Sequence, residues 1–263
     1  MAWLNGSVAT ADDIAEVLAN NYGHFTTLQV RGAAAQGLDL HLQRLDEASV
    51  ELFGQSLSGD RSIELFGAAL RDSGLDDCTL RATVVSRDFD ITYPDKPCSL
   101  DVLVRIAPAA VPAEHALRLK SFDYMRYLPQ LKHVGTLPLF HHRRLAVLAG
   151  YDDALFLDRA GVISEGALWN IGFWRGDDVI WPEASALRGT CERLLKCGLA
   201  ELGIVQSTRQ VTSTDLAGLD GAFISNARGV QPVAAIDAVA YSPVAGRMDQ
   251  LRQALASQPW QEI

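Results

Sequence analysis

Four lysines, at positions 96, 120, 132 and 196, stand in this 263-residue chain against nineteen arginines. An amine that attacks a carbonyl carbon must be held beside it and must be able to lose its proton, which favours a lysine among apolar or cationic neighbours. Lys96 lies in a proline-flanked turn and Lys196 in a helical stretch that begins near Thr190, so both read as solvated charges. Lys132, in Tyr127-Leu128-Pro129-Gln130-Leu131-Lys132-His133-Val134-Gly135, has apolar neighbours on both sides. It is the candidate for covalent chemistry, the plainer alternative being a surface lysine ahead of a helix.

Glu165 ends a strand-like run and precedes an uncharged stretch, Gly166-Ala167-Leu168-Trp169-Asn170. A carboxylate there either forms a salt bridge or turn cap, or holds a proton on a ring nitrogen of a cofactor. Leu187-Arg188-Gly189-Thr190 places a glycine and a hydroxyl before a helix, which suits an anion as well as an ordinary cap. His41 and Arg44, at i and i+3, share one helical face and form either a solvated surface or an anion clamp. His141 and His142 are adjacent and point apart on a helix, with no third ligand at metal spacing, so no metal is assigned. No serine stands in a GxSxG elbow, and Cys191 has no paired base in view.

The elements that must position these groups follow from period and punctuation. Thr10 and Asp13 in capping-box spacing open a helix over 10–20. His24 to Val30 reads as a strand, and 41–54 as a helix stopped by Gly54. Leu80 to Ser86 and Leu100 to Ile106 read as an antiparallel pair, and the proline- and alanine-rich 107–116 as an interdomain connection. Beyond it come a helix over 137–150, strands at 152–158, 161–165, 170–176 and 178–182, and a helix capped by Thr190 with Gly203 past its end. The expected fold is α+β in two domains, 1–110 and 111–263.

Composition narrows the partners. With 48% hydrophobic residues and a formal net charge of -9, the chain can fill a large core and shows no basic footprint for nucleic acid. No signal-peptide pattern and no run of roughly 18 apolar residues is present, so a soluble, cytoplasmic protein without membrane contact is expected. Cys78, Cys98, Cys191 and Cys197 form no CxxC pair and read as reduced thiols.

In their order along the chain these signals resemble the fold-type IV pyridoxal-phosphate enzymes, the class IV aminotransferases and aminodeoxychorismate lyases. The motifs that carry the likeness are Asn5-Gly6, Tyr22-Gly23, Phe25-Thr26-Thr27, His41-Leu42-Gln43-Arg44-Leu45 and Leu131-Lys132-His133. They continue with Gly150 to Asp158, Gly161 to Glu165, Asn170-Ile171, then Pro182, Leu187, Gly189 and Thr190, and finally Ile224-Ser225-Asn226-Ala227 with Pro232-Val233.

The resemblance implies a two-domain enzyme with pyridoxal 5'-phosphate in the interdomain cleft, a homodimer completing the site, and a small amino or oxo acid as substrate. It makes Lys132 the internal aldimine and proton shuttle and Glu165 the partner of the pyridine nitrogen. Arg44, Gly189, Thr190, Asn226 and Ala227 become phosphate ligands. Tyr22, His24, Arg126 and Arg228 are candidates for the substrate side, and Arg87 for a carboxylate clamp. His24 shortens the family's "G-D-G" loop, Gly135 replaces the lyases' asparagine, and Arg188 and Glu192 replace the usual proline and arginine of the phosphate turn. Those departures keep three activities open: an aminotransferase first, 4-amino-4-deoxychorismate lyase second, and a cofactor-binding homologue without turnover third.

Overall fold

The computed structural model describes residues 1–111, 113–242 and 246–263, so Pro112, within the expected connection, lies outside the described residues. The chain opens with β1 (Ala2–Leu4), β2 (Ser7–Val8), α1 (Ala11–Asn20), β3 (His24–Arg31), β4 (Ala34–Gln36), α2 (Leu38–Phe53), α3 (Gly59–Ser73), β5 (Cys78–Val85) and β6 (Asp101–Pro108). It continues with β7 (Leu117–Asp123), α4 (Leu137–Leu148), β8 (Asp153–Leu157), β9 (Ile163–Gly166), β10 (Asn170–Arg175) and β11 (Asp178–Pro182). Then follow α5 (Thr190–Glu201), β12 (Gln206–Arg209), β13 (Gly221–Asn226), β14 (Gly229–Ile236), β15 (Val239–Ala240), α6 (Arg247–Ala256) and β16 (Trp260–Glu262). Among the described residues no helix is long and apolar enough to cross a membrane.

Two compact units result. The first comprises Met1–Ala110, Leu131–Gly135 and Pro259–Ile263, and the second Val111–Gln130 and Thr136–Gln258. Two short segments that the sequence places in 111–263 thus group with the first unit, and one of them carries Lys132. The reason is backbone pairing. The Phe25 amide donates to the Lys132 carbonyl at 2.9 Å and the Val134 amide to the Gly23 carbonyl at 2.9 Å, while β16 pairs with β4. Gly23 also lies close against β5, where a Cβ would stand 2.3 Å from the Val84 carbonyl oxygen.

The first unit is an antiparallel sheet in the order β16-β4-β3-β5-β6-β1-β2. Alternation sends Leu28, Val30, Leu80, Ala82, Val84, Val102, Val104 and Ile106 to one face, where Leu45 of α2 and Phe66 and Leu70 of α3 cover them. Burial of each large side chain there is worth about 1.5–3 kcal/mol. Phe25, Thr27, Arg81, Thr83, Leu103 and Arg105 share the opposite face by register. The Thr10–Asp13 capping box starts α1, and Gly54, with φ 67°, ends α2. Helix α2 begins at Leu38, earlier than its apolar stripe suggests, and α3 lies where no helix is expected. Ser58 caps α3 by accepting from the Arg61 amide.

The second unit is a nine-stranded sheet that runs β12-β11-β10-β13-β14-β7-β8-β9, with β15 on β14. One core gathers Leu119, Leu155, Ile163, Trp169, Ile171 and Phe173, and a second lies under α5 and α6 around Trp174, Trp181, Leu195 and Phe223. Thr190 is the first residue of α5 rather than its cap. Gly189 holds the cap position and no side chain caps the helix.

Candidate active site

In the first unit the Lys132 ammonium lies 5.0 Å from the centroid of the Phe25 ring, which also carries the Arg81 guanidinium at 3.6 Å. Burial, then Arg105, holds the Arg81 pKa below the usual guanidinium value. One residue further along β3, Thr26 points to α2. There its hydroxyl lies 2.6 Å from Nδ1 of His41, and Arg44 donates from one terminal nitrogen to Thr26 Oγ1 and approaches the same Nδ1 at 3.0 Å. Burial, then the charges of Arg44 and Lys132, pushes His41 well below the ordinary histidine pKa, so the ring is neutral.

Two expected substrate residues are occupied inside this unit. His24 is 1% exposed, its Nε2 lies 3.0 Å from Ser49 Oγ, and burial followed by Arg44 pushes its pKa down to about 4. His24 thus packs at the start of β3 with its Nε2 turned to α2. Tyr22 donates its hydroxyl to the Leu52 carbonyl at 2.8 Å and stacks on Phe89 at 4.6 Å. Arg87, expected as a carboxylate clamp, already binds Asp101, Asp13 and Glu16.

In the second unit Glu165 is buried in β9, and its charge acts on Arg126 and Tyr124. Burial lowers the Arg126 pKa, and Glu165 and then Tyr124 act in the opposite sense. Asn170, first residue of β10, donates to the Leu187 carbonyl at 2.6 Å and accepts from the Gly189 amide at 3.1 Å, so it ties down the turn that leads into α5. Ser225 is the register partner of Asn170, and its hydroxyl is buried with no hydrogen-bond partner among the described residues. Cys191 Sγ lies 3.9 Å from the Gly229 carbonyl, and burial pushes its thiol up to about 12. The turn from Asn226 to Gly229 therefore adjoins the N-terminus of α5. Asn226 Oδ1 accepts from the Arg228 amide, and Ala227 and Arg228 are exposed.

Glu192 is 1% exposed and accepts from Lys196 at 2.7 Å and Arg188 at 3.4 Å. Lys196 is thus bound to a buried acid and not merely solvated. Among the described residues no group of three or more His, Cys, Asp or Glu could hold a metal ion.

These groups fit a phosphorylated pyridine. The first amides of α5 have no acceptor within their own helix, a buried hydroxyl stands near them, and a buried carboxylate lies one short turn away in β9. The sequence named Thr26 and Ser225 only within motifs, without a role, and did not name Arg81. Alternation along β3 and β5 is the signal that places Arg81 on the face of Phe25.

The class IV amino-transferase profile matches residues 23–236. The chain belongs to the class IV aminotransferases. This class IV aminotransferase is a fold-type IV enzyme, and the cofactor of its family is pyridoxal phosphate. Its fold is similar to that of the branched-chain amino acid aminotransferase of Escherichia coli, at 24% identity, with 95% of this chain and 92% of that one covered and a TM-score of 0.82. The branched-chain aminotransferase of Thermoproteus uzoniensis, solved with norvaline, gives 20%, 96%, 92% and 0.84 in the same terms. A protein described as a 4-amino-4-deoxychorismate lyase, from Legionella pneumophila, gives 20%, 89%, 90% and 0.79. No curated protein matches the chain.

Proposed function

We propose that this enzyme is an aminotransferase that moves an amino group between an amino acid or related amine and an oxo acid, with pyridoxal phosphate attached to Lys132. The observation that supports this most is the pinning of Lys132: Phe25 of β3 binds its carbonyl, Gly23 just ahead of β3 binds the Val134 amide, and its side chain lies over the Phe25 ring. When bound, the cofactor supplies a ring that withdraws electrons from the substrate α-carbon. Lys132 Nζ is the covalent anchor and, once displaced, the base that carries the α-proton. Glu165 keeps a proton on the ring nitrogen. Arg44, Gly189, Thr190, Asn226 and Ala227 hold the phosphate, with Ser225 as a further donor. Tyr22 and His24 turn their polar atoms to Leu52 and Ser49, so the substrate carboxylate falls to Arg126, Arg228 and Arg81.

A second reading, 4-amino-4-deoxychorismate lyase, is supported by Phe25-Thr26-Thr27 and Leu131-Lys132-His133, which resemble the lyase branch of the family. The experiment is borohydride reduction of the purified protein with cofactor, followed by mapping of the modified lysine. Modification elsewhere, or none, sinks the central reading. The spectrum then separates the activities. A transaminase given a true donor shifts to the absorbance of the amine form and stays there, a lyase releases pyruvate with its initial spectrum restored, and a homologue without turnover responds to no amine.

We also propose a cytoplasmic homodimer. Leu137, Phe140, Val147 and Leu148 of α4 are exposed apolar side chains, more than one short helix of a monomer usually leaves in water. Light scattering at the mass of one chain would refute the dimer, and cell fractionation checks the compartment.

A further inference from the structure

We infer that Thr26 and His41 are positioning residues, which hold the Arg44 guanidinium in the orientation that grips the phosphate ester of the cofactor. This rests on the assignment of Arg44 to the phosphate made above, and it assigns to two further residues the work of aiming that arginine.

The three groups close a ring of hydrogen bonds. Thr26 Oγ1 lies 2.6 Å from His41 Nδ1, Arg44 Nη2 lies 3.0 Å from the same nitrogen, and Arg44 Nη2 also donates to Thr26 Oγ1. Arg44 has only donors, so Nδ1 must be the acceptor and the histidine must be neutral with its proton on Nε2. The Thr26 hydroxyl then gives its proton to Nδ1 and takes one from Arg44. Burial and the charges of Arg44 and Lys132 hold His41 in this state.

The arrangement also limits entropy. A free arginine side chain carries about 2 kcal/mol of rotamer freedom, and two acceptors on one terminal nitrogen remove much of it before any ligand arrives. Thr26 and His41 are both buried, at 0% and 4% exposure, while Arg44 is half-buried. Thr26 also adjoins Phe25, whose amide binds the Lys132 carbonyl. One strand therefore sets both the lysine backbone and the direction of the arginine.

The test compares affinities of the apoprotein for pyridoxal phosphate and for pyridoxal, which lacks the phosphate, by absorbance titration. Thr26→Val and His41→Leu should each weaken pyridoxal phosphate about tenfold and leave pyridoxal unchanged. Thr26→Ser and His41→Asn, which restore a hydroxyl and an acceptor, should bind both like the parent. Circular dichroism of each variant reports folding, and the Ser and Asn variants keep the test valid where Val or Leu fails to fold. Loss of both affinities in equal measure, or none in Thr26→Val, overturns the inference. Arg44→Met separates it from its premise. A phosphate-specific loss in Arg44→Met with Thr26→Val silent defeats only the positioning role, whereas an equal loss for both ligands in Arg44→Met removes Arg44 from the phosphate and the inference with it.

Discussion

The α-carbon of Gly189 lies so close to the carboxamide of Asn170 that a Cβ there would stand 2.4 Å from Oδ1. The same Oδ1 accepts the Gly189 amide, and Nδ2 binds the Leu187 carbonyl. Glycine is required at 189 by contact, since its φ of -66° suits any residue. Gly189→Ala should push Asn170 aside, cost about 1–3 kcal/mol through the broken bonds, and weaken pyridoxal phosphate more than pyridoxal. Thermal melts and paired titrations check this. An alanine variant with parental melting and parental affinity would show that the turn does not depend on the contact.

Glu192 places a negative charge in the first turn of α5, the end that the phosphate would share. Glu192→Gln should strip Lys196 and Arg188 of their buried partner and lower stability by about 2 kcal/mol. The same change removes an anion that repels the phosphate, and pyridoxal phosphate should bind up to about fivefold tighter. The two effects have opposite signs. A variant both less stable and weaker in binding would show that Glu192 supports the phosphate site instead.

Acid should destabilise the protein through His24 before most carboxylates titrate. Its pKa is about 4 in the fold against an ordinary 6.5, so the unfolded chain takes up the proton first. Stability from this source is complete above pH 6.5 and is lost as pH falls towards 4, by about 3 kcal/mol in total. His41 is shifted the same way. Urea midpoints at pH 7 and pH 5 should fall for the parent and fall less for His24→Gln. Equal falls in both proteins would exclude His24 as a source.

Arg87 is expected to matter for folding and not for substrate. Its guanidinium joins Asp101, Asp13 and Glu16, so Arg87→Ala should lower the melting temperature and leave KM for any carboxylate substrate unchanged. A raised KM in a variant that melts like the parent would return Arg87 to the substrate side.

What could be read from the sequence followed local rules. Strands β3, β5 and β6 showed themselves by β-branched content and alternation, and α2 and α5 by their leucine stripes. Lys132 and Glu165 could be picked out because each charged group stands in an uncharged stretch. The pairing of residues 131–135 with β3 could not be read, since Leu-Lys-His-Val-Gly has little strand character and its partner lies more than a hundred residues earlier. The burial of His24 is set by Ser49 on α2, and the occupation of Arg87 by acids from α1 and β6. Helix α3 was legible in principle, with Ser58 as cap and Ile63, Phe66 and Leu70 at helical spacing. Its central Gly67 and many charges obscure the stripe.

The backbone tie between Lys132 and β3 makes this chain poorly modular. A chimera that joins residues 1–110 of this protein to residues 111 onward of a distant relative would graft a foreign five-residue segment onto the edge of β3, and a foreign tail onto β4. Register, not only interface, would have to match. Recombination should therefore succeed when 131–135 and 259–263 travel with the first 110 residues, and four crossover points, rather than one, define the exchangeable unit.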